Sequence, residues 1–504
     1  MSTTAGFPER NPRARFDPSD SQDAFGRSEL EWTFRDPAGQ LQLTPLHALR
    51  RIHPAAVEET LAFLGSSLRM ALERSGDLIP TEIAQPGAHP SIVTGPTEEL
   101  WLQHPRIDPI SYPWEWTTGQ WRSAAELTLR IAGQAIDAGW TLKDATPLNV
   151  LFVGARPVLV DVLSFERRDP HSSVWLAYGQ FVRTFLLPLV AERLLSWPLQ
   201  ATLHSRDGYE PRTIYRALRW SQRLHPDLLD VVTLATLFES SGGKGHKPGR
   251  LPSVSNPELV THILHRRIAR LGKQIRRAAR PETGSRWSDY QQSASHYRPA
   301  DTDEKQQFVK DVLDRCSPER VLDIGANTGT YSLLAAKAGA EVVALDSDAA
   351  AIEILWRTVA GTGQSVTALV ANIARPTPAV GWRNREQLSL LERLTGKLDM
   401  VLMLAVIHHL ILREQLPLAH IGDLCASLTR RWLVLEWVPP ADPMFQEWLR
   451  GRDDLYGHLS EDDLKLAFAP FFHVADRAVL GNDRVLLLFE LNGAGSPQPG
   501  ESPA

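Results

Sequence analysis

Val321-Leu322-Asp323-Ile324-Gly325-Ala326-Asn327-Thr328-Gly329-Thr330-Tyr331 decides how the C-terminal half is read. The first four residues form a short apolar run, the glycines break it, and a helical pattern follows from Tyr331 to Ala338. Glycine at a strand-to-helix turn lets backbone amides approach a ligand, and the helix N-terminus behind them favours negative charge. Outward from this turn, further apolar runs recur at Val342 to Leu345, Val366 to Val370, Met400 to Val406 and Leu433 to Leu435, separated by helical segments. That alternation predicts an open parallel α/β sheet with helices on both faces. The ending differs, because Phe472 to Leu480, Gly481-Asn482-Asp483 and Arg484 to Leu491 read as a hairpin, which makes the last strand antiparallel.

The second strand ends in Ala344-Leu345-Asp346, and Asp346 lies 346 − 323 = 23 residues beyond Asp323. An acid about 20 residues past a glycine turn is placed to accept hydrogen bonds from ribose hydroxyls, which argues for an adenosine-containing cofactor. The loop holds only Gly325 and Gly329, so the G-x-G-x-x-G spacing of a pyrophosphate cradle is missing. A third strand ends in Ala371-Asn372.

This combination resembles the class I S-adenosylmethionine-dependent methyltransferases. The resemblance implies a Rossmann-like seven-stranded sheet with an antiparallel last strand and S-adenosyl-L-methionine as cofactor. It assigns Asp323, Gly325, Ala326, Asn327 and Gly329 to the cofactor loop, Asp346 to the ribose and Asn372 to the adenine. The fourth strand runs into His408 and His409 at the carboxyl edge, where ligands of open sheets bind. Either imidazole is a candidate base for an attacking oxygen or nitrogen; the other reading has one of them capping the next helix or packing on the cofactor. Ala371 to Glu386, with Leu435-Glu436-Trp437-Val438-Pro439-Pro440, Ile110 to Trp116 and the 140s to 160s, looks like the bacterial nodulation-protein-type methyltransferases. Trp382, Asn384, Arg385, Glu386 and Glu436 are then candidates for the acceptor pocket, with Glu436 joining the histidines as a catalytic candidate; alternatively the insertion merely lids the sheet.

The front half has another texture. Asp144 and Asn149 are five apart, and Asp161 follows Asn149 at a distance of 12 residues, with two strands expected around a turn at Gly154. This order resembles the catalytic loop of protein kinases and small-molecule phosphotransferases, which implies an α+β kinase-like N-terminal domain. There is no glycine-rich phosphate loop, and Lys143 is the first lysine of the chain, so a remnant used for packing or acceptor binding is favoured over an active kinase. A hairpin is expected around Pro37 to Gly39, and helices at Val57 to Arg74 and Arg122 to Ala138. Between Thr261 and Arg280 lie seven cations and no acid, with Leu264, Ile268, Leu271 and Ile275 at helical spacing. This reads as a connector with a solvated basic face, or as a site for an anionic partner.

The expected organisation is a disordered tail at 1–28, the N-terminal domain at 29–256, the basic helix and linker at 257–299, the methyltransferase domain at 300–491 and a tail at 492–504. Across 504 residues the 43% hydrophobic and 22% charged content exclude wholesale disorder, and a net charge of −5 excludes a global field for nucleic acid. Two cysteines, Cys316 and Cys425, exclude a disulfide framework and a multi-cysteine metal site, so a reducing, cytoplasmic setting and no metal are expected. The most apolar stretch, Phe181 to Leu195, contains three charges and is too short to span a bilayer. The expected activity is methyl transfer to an O or N nucleophile of an acceptor, a small molecule being favoured, covered or recruited by the N-terminal domain. The alternatives are a kinase-like or cofactor-sensing protein with a non-catalytic methyltransferase domain, and a scaffold using the basic helix.

Overall fold

The computed structural model describes residues 37–85, 100–240, 254–279, 299–449 and 456–493. The expected N-terminal tail, residues 29–36, the stretch 280–298 and the last eleven residues lie outside them. In the front half, β1 (Gly39–Leu43), β2 (His47–Ile52), β3 (Glu82–Ile83) and β4 (Trp101–Pro105) form an antiparallel sheet in the order β1-β2-β4-β3. A hairpin turn joins β1 and β2 at Thr44 to Leu46, where the Thr44 hydroxyl oxygen accepts from His47 N at 3.0 Å, and the strand that would precede the turn expected at Pro37 to Gly39 lies outside the described residues. The helical period expected from Val57 to Arg74 is two helices, Val57–Leu64 and Ser67–Ser75. Gly65 ends the first, and Ser66 caps the second by accepting from Arg69 N at 3.1 Å.

Two short pairs follow, β5 (Trp140–Leu142) with β8 (Phe165–Arg167) and β6 (Val150–Val153) with β7 (Arg156–Leu159), the latter turning at Gly154 as expected. The Thr118–Asp137 helix is held at its start by a Thr117/Gln120 capping box. Its buried stripe, Trp121, Ala124, Ala125, Thr128, Ala132 and Ala135, runs through one apolar core shared with Trp140, Phe152, Phe181 and Phe185. The basic helix, Pro257–Ala278, joins that same core through Leu264, Leu271 and Ile275. No helix among the described residues is long and apolar enough to cross a membrane.

The C-terminal half is a mixed seven-stranded sheet of β9 (Arg320–Ile324), β10 (Glu341–Asp346), β11 (Val366–Val370), β12 (Leu398–Met403), β13 (Thr429–Trp437), β14 (Phe472–Val479) and β15 (Val485–Leu491), in the order β11-β10-β9-β12-β13-β15-β14. β9 to β13 pair in parallel, and β15 is antiparallel to both of its neighbours. Alternate residues feed two cores: Leu322, Val343 and Leu345 on one face, Val321, Val342 and Ala344 on the other. Burial on both faces explains the unbroken apolar runs, since each Val or Leu removed from water contributes about 1.5 to 3 kcal/mol. The order reverses between β9 and β12, which opens a crevice at their carboxyl ends.

The two halves are joined by buried polar contacts. At the start of the Thr118–Asp137 helix, Gly119 N donates to Glu353 Oε2 at 2.9 Å and Gln120 Nε2 donates to Ala368 O of β11 at 3.0 Å. A Cβ at Gly119 would lie 2.2 Å from the Glu353 carboxylate, so a larger residue there would displace that side chain. Trp356 donates its indole N–H to Ala155 O at 3.1 Å, and Asp108 bridges Arg320 at 3.2 Å and Lys397 at 3.1 Å.

Candidate functional site

A cleft of about 570 Å³ opens at the carboxyl edge of β9, β10, β11 and β12. Asp323, Gly325, Ala326 and Asn327 line it from the first turn, Asp346 from the end of β10, Asn372 from the end of β11, and His408 and His409 from the start of the helix after β12. Residues up to 86 positions apart in sequence therefore meet in one cleft, because parallel strands place all their carboxyl ends on the same side.

Six predicted residues do not line it. Gly329 has φ +89° and starts the Thr330–Lys337 helix, where a Cβ would lie 2.2 Å from Leu355 Cδ1; its constraint is packing. Glu436 lies fully buried behind the wall, its carboxylate held by Lys305 and by Arg484 Nη1 at 3.2 Å. Two cations hold the carboxylate that the sequence offers as a catalytic candidate. Trp382, Asn384, Arg385 and Glu386 are absent from the lining as well. Glu386 instead pairs with Arg206 of the front half at 3.0 Å, and Trp382 is exposed.

Within the cleft, the Asp346 carboxylate accepts from Asn327 N at 2.9 Å and Asp348 N at 2.8 Å, tying the glycine turn to the end of β10. Burial pushes this carboxyl above its ordinary range against the pull of those amides. Asp323 accepts from Ser332 Oγ at 2.6 Å and is pushed up to about 6, mainly by burial, with the Asp346 charge adding to it. Gly325 has φ +75°, and a Cβ there would stand 2.3 Å from Val406 Cγ2. The turn is glycine because Val406 closes the space behind it, a reason the sequence does not reveal.

His408 is 2% exposed, and its ring sits 4.1 Å from that of His409. Burial, then His409, Arg484 and Lys305, hold His408 well below the ordinary imidazole range; burial and the nearby Arg413 and Arg484 bring His409 down to about 4. Both rings are neutral at pH 7. The Nδ1 of His408 is buried with no hydrogen-bond partner among the described residues.

The sequence reading missed Lys305 and Arg484, which also line the cleft. With Glu436 and Asp442 they form a buried chain of charge in which Arg484 Nε donates to Asp442 Oδ2 at 2.8 Å. The Lys305 ammonium stands 4.9 Å over the Tyr331 ring. The available signal was the placement of Lys305 on the apolar stripe of the Pro299–Cys316 helix, three, four and seven residues before Phe308, Val309 and Val312.

Residues 294–469 match the family model of a methyltransferase domain. Residues 294–469 thus form a methyltransferase domain, and every residue lining the cleft except Arg484 lies within that stretch. Over 479 residues it is 27% identical to the nodulation protein NoeA of Rhizobium meliloti (strain 1021), covering 91% of this chain and 95% of that one. Solved structures similar to parts of it include magnesium protoporphyrin IX methyltransferase (ChlM) from Synechocystis PCC 6803, at 21% identity over 37% of this chain and 79% of that one with a TM-score of 0.26. Another is the N-methyltransferase NodS from Bradyrhizobium japonicum WM9, at 13% identity over 38% of this chain and 97% of that one with a TM-score of 0.29.

Proposed function

We propose that this protein moves a methyl group from S-adenosylmethionine to an oxygen or nitrogen of a small-molecule acceptor, using the cleft at the carboxyl edge of the sheet. The observation that carries this reading is the convergence of the Asp323 to Asn327 turn, the Asp346 carboxylate and Asn372 on one cleft beside a neutral His408. The donor set suits the cofactor: an acceptor carboxylate for ribose hydroxyls, an amide side chain for the adenine edge and a turn whose backbone is open to the ligand. Bound there, the cofactor supplies an already electrophilic methyl group.

The chain's part is to bind, orient and exclude water, with a proton taken from the acceptor by His408. Burial, with His409, Arg484 and Lys305 adding to it, keeps that ring unprotonated, and its Nδ1 has no hydrogen-bond partner among the described residues. Every residue lining the cleft lies at Thr302 or beyond, so the front half acts through the sheet and by recruiting the acceptor rather than as its cover.

The kinase-like cluster is read as a packing remnant. Asn149 Nδ2 does approach Asp161 Oδ2 at 3.4 Å, yet Asp161 is already paired with Arg50 of β2 at 2.6 Å and accepts from the Ser164 hydroxyl. Burial raises the Asp161 carboxyl, and Arg50 and these hydrogen bonds overcome it and hold it low. Arg50 is the counter-charge the sequence did not disclose, and it neutralises the carboxylate that a phosphotransferase would give to magnesium.

The test is incubation of the full chain with cell extract and S-adenosylmethionine carrying a labelled methyl group. A small molecule gaining one labelled methyl, absent with Asp346→Ala, is expected. Cofactor binding without any product supports the cofactor-sensing alternative.

A further inference from the structure

Eighteen large apolar side chains are exposed among the described residues, and six of them fall between Trp220 and Phe238. Trp220 is 77% exposed, Leu224 64% and Phe238 74%, accompanied by Leu229, Leu234 and Leu237. The fold does not need them outward. The opposite side of the same helices already fills the front-half core with Ile214, Leu218, Leu228, Val231 and Val232. Trp220 and Leu224 are one turn apart on one helix, while Leu229, Leu234 and Phe238 follow the wider pitch of the π-helical stretch Leu229–Leu234 and the helix after it. The Thr233 hydroxyl, donating to Arg223 O at 2.5 Å, ties the two helices together.

Among the described side chains around this face, the charge left without an ion-pair partner has one sign. Arg212, Arg216 and Arg219 are exposed and form no ion pair with a described residue. The neighbouring acids are taken: Asp227 by Arg277, Asp230 by Arg270 at 3.0 Å and Glu210 by Arg183 at 2.9 Å. The Asp227 and Asp230 pairs seat the basic Pro257–Ala278 helix alongside, where Arg266 and Lys273 add exposed cations.

Trp, Phe and Leu projecting from short helices, rimmed by unpaired arginines, match the physical requirements of an interfacial anchor: apolar groups for the acyl boundary and cations for anionic headgroups. We propose that the Arg212 to Phe238 face docks this protein on an anionic lipid bilayer. A nucleic acid would use the arginines but leave five or more apolar side chains without a role. The docking face is separate from the cofactor cleft, and the proposal does not depend on methyl transfer.

The test is co-sedimentation of the full chain with vesicles of phosphatidylcholine alone or mixed with phosphatidylserine. Binding to the mixed vesicles only, weakened by salt, is expected. A triple variant, Trp220→Ser, Leu224→Ser and Phe238→Ser, should abolish it. Arg212→Gln, Arg216→Gln and Arg219→Gln should each lower the affinity roughly fivefold. All of these side chains are exposed, so the variants should melt like the parent and bind cofactor equally well. Failure to bind mixed vesicles, or binding unchanged in the triple variant, overturns the proposal. So does a dimer in light scattering that the triple variant loses, because the face is then occupied by a second copy.

Discussion

Glu115 and Arg393, 278 residues apart, form a doubly bonded ion pair that is 0% and 1% exposed. Thr377 Oγ1 donates to Glu115 Oε1 at 2.6 Å, Arg393 donates to Ile110 O, and its guanidinium lies 4.7 Å over the Tyr112 ring. Thr377 stands five residues after Asn372, so the front half holds the segment that leads out of the cofactor cleft. Removing one partner of such a pair leaves an uncompensated buried charge. Glu115→Ala should therefore cost about 3 to 5 kcal/mol of stability, read in a denaturant melt.

The same contacts bear on truncation. From the sequence, the complete alternating sheet within Val321 to Leu491 suggests that a chain lacking residues 1–255 still folds and binds cofactor. Cutting away the front half would expose the apolar groups around Trp356 and strand Arg393, whose carboxylate partner is Glu115, while Glu353 would lose Gly119 N and keep Arg357. The expected result is a fragment that aggregates or melts far below the full chain; a fragment with the full chain's melting temperature would show that the joint is dispensable.

Asp346 separates binding from architecture. Asp346→Ala removes the acceptor for two loop amides as well as the ribose partner, so both melting temperature and cofactor affinity should fall, the affinity by about 1 to 3 kcal/mol. Asp346→Asn keeps one oxygen for those amides. Calorimetry should find it more stable than the alanine variant and still weakened toward cofactor.

Asp323 and His409 give the fold opposite responses to acid. Asp323 is pushed up to about 6 from 3.8, so its contribution is present below the unfolded value and lost as pH rises through 6. About 2 units correspond to about 3 kcal/mol. Asp323→Asn should flatten stability between pH 4 and 6 and gain on the parent at pH 7. His409 is lowered from 6.5 to about 4, so its contribution is present above 6.5 and lost as pH falls toward 4. His409→Gln should soften acid denaturation over that window, measured by melts at stepped pH.

Asp161 tests the remnant reading. Titration with ATP and magnesium should give no heat, and Asp161→Ala should cost about 1 to 3 kcal/mol by leaving Arg50 without its carboxylate while cofactor binding is kept. Micromolar ATP binding abolished by Asp161→Asn would instead establish a working nucleotide site.

The C-terminal sheet was legible because buried parallel strands write their burial as unbroken apolar runs and the last hairpin announces itself through Gly481-Asn482-Asp483. The part of the cleft at the carboxyl ends of β9 to β12 was legible for the same reason, whereas Lys305 and Arg484 were not. What stayed hidden depends on long-range pairing. Nothing near Glu436 in sequence shows that Lys305 and Arg484 will claim it, and nothing near Asp161 points to Arg50, 111 residues earlier. The break at Gly65-Ser66 was local and visible, but an uninterrupted apolar period masked it.

The central claim is that the Asp323, Asp346 and Asn372 cleft holds the cofactor, and titration of S-adenosylhomocysteine into the full chain tests it most directly. One site per chain is predicted, with affinity reduced about tenfold or more by Asp346→Ala and kept by His408→Gln. Absence of binding in the parent chain, or equal affinity in a folded Asp346→Ala variant, would contradict the account.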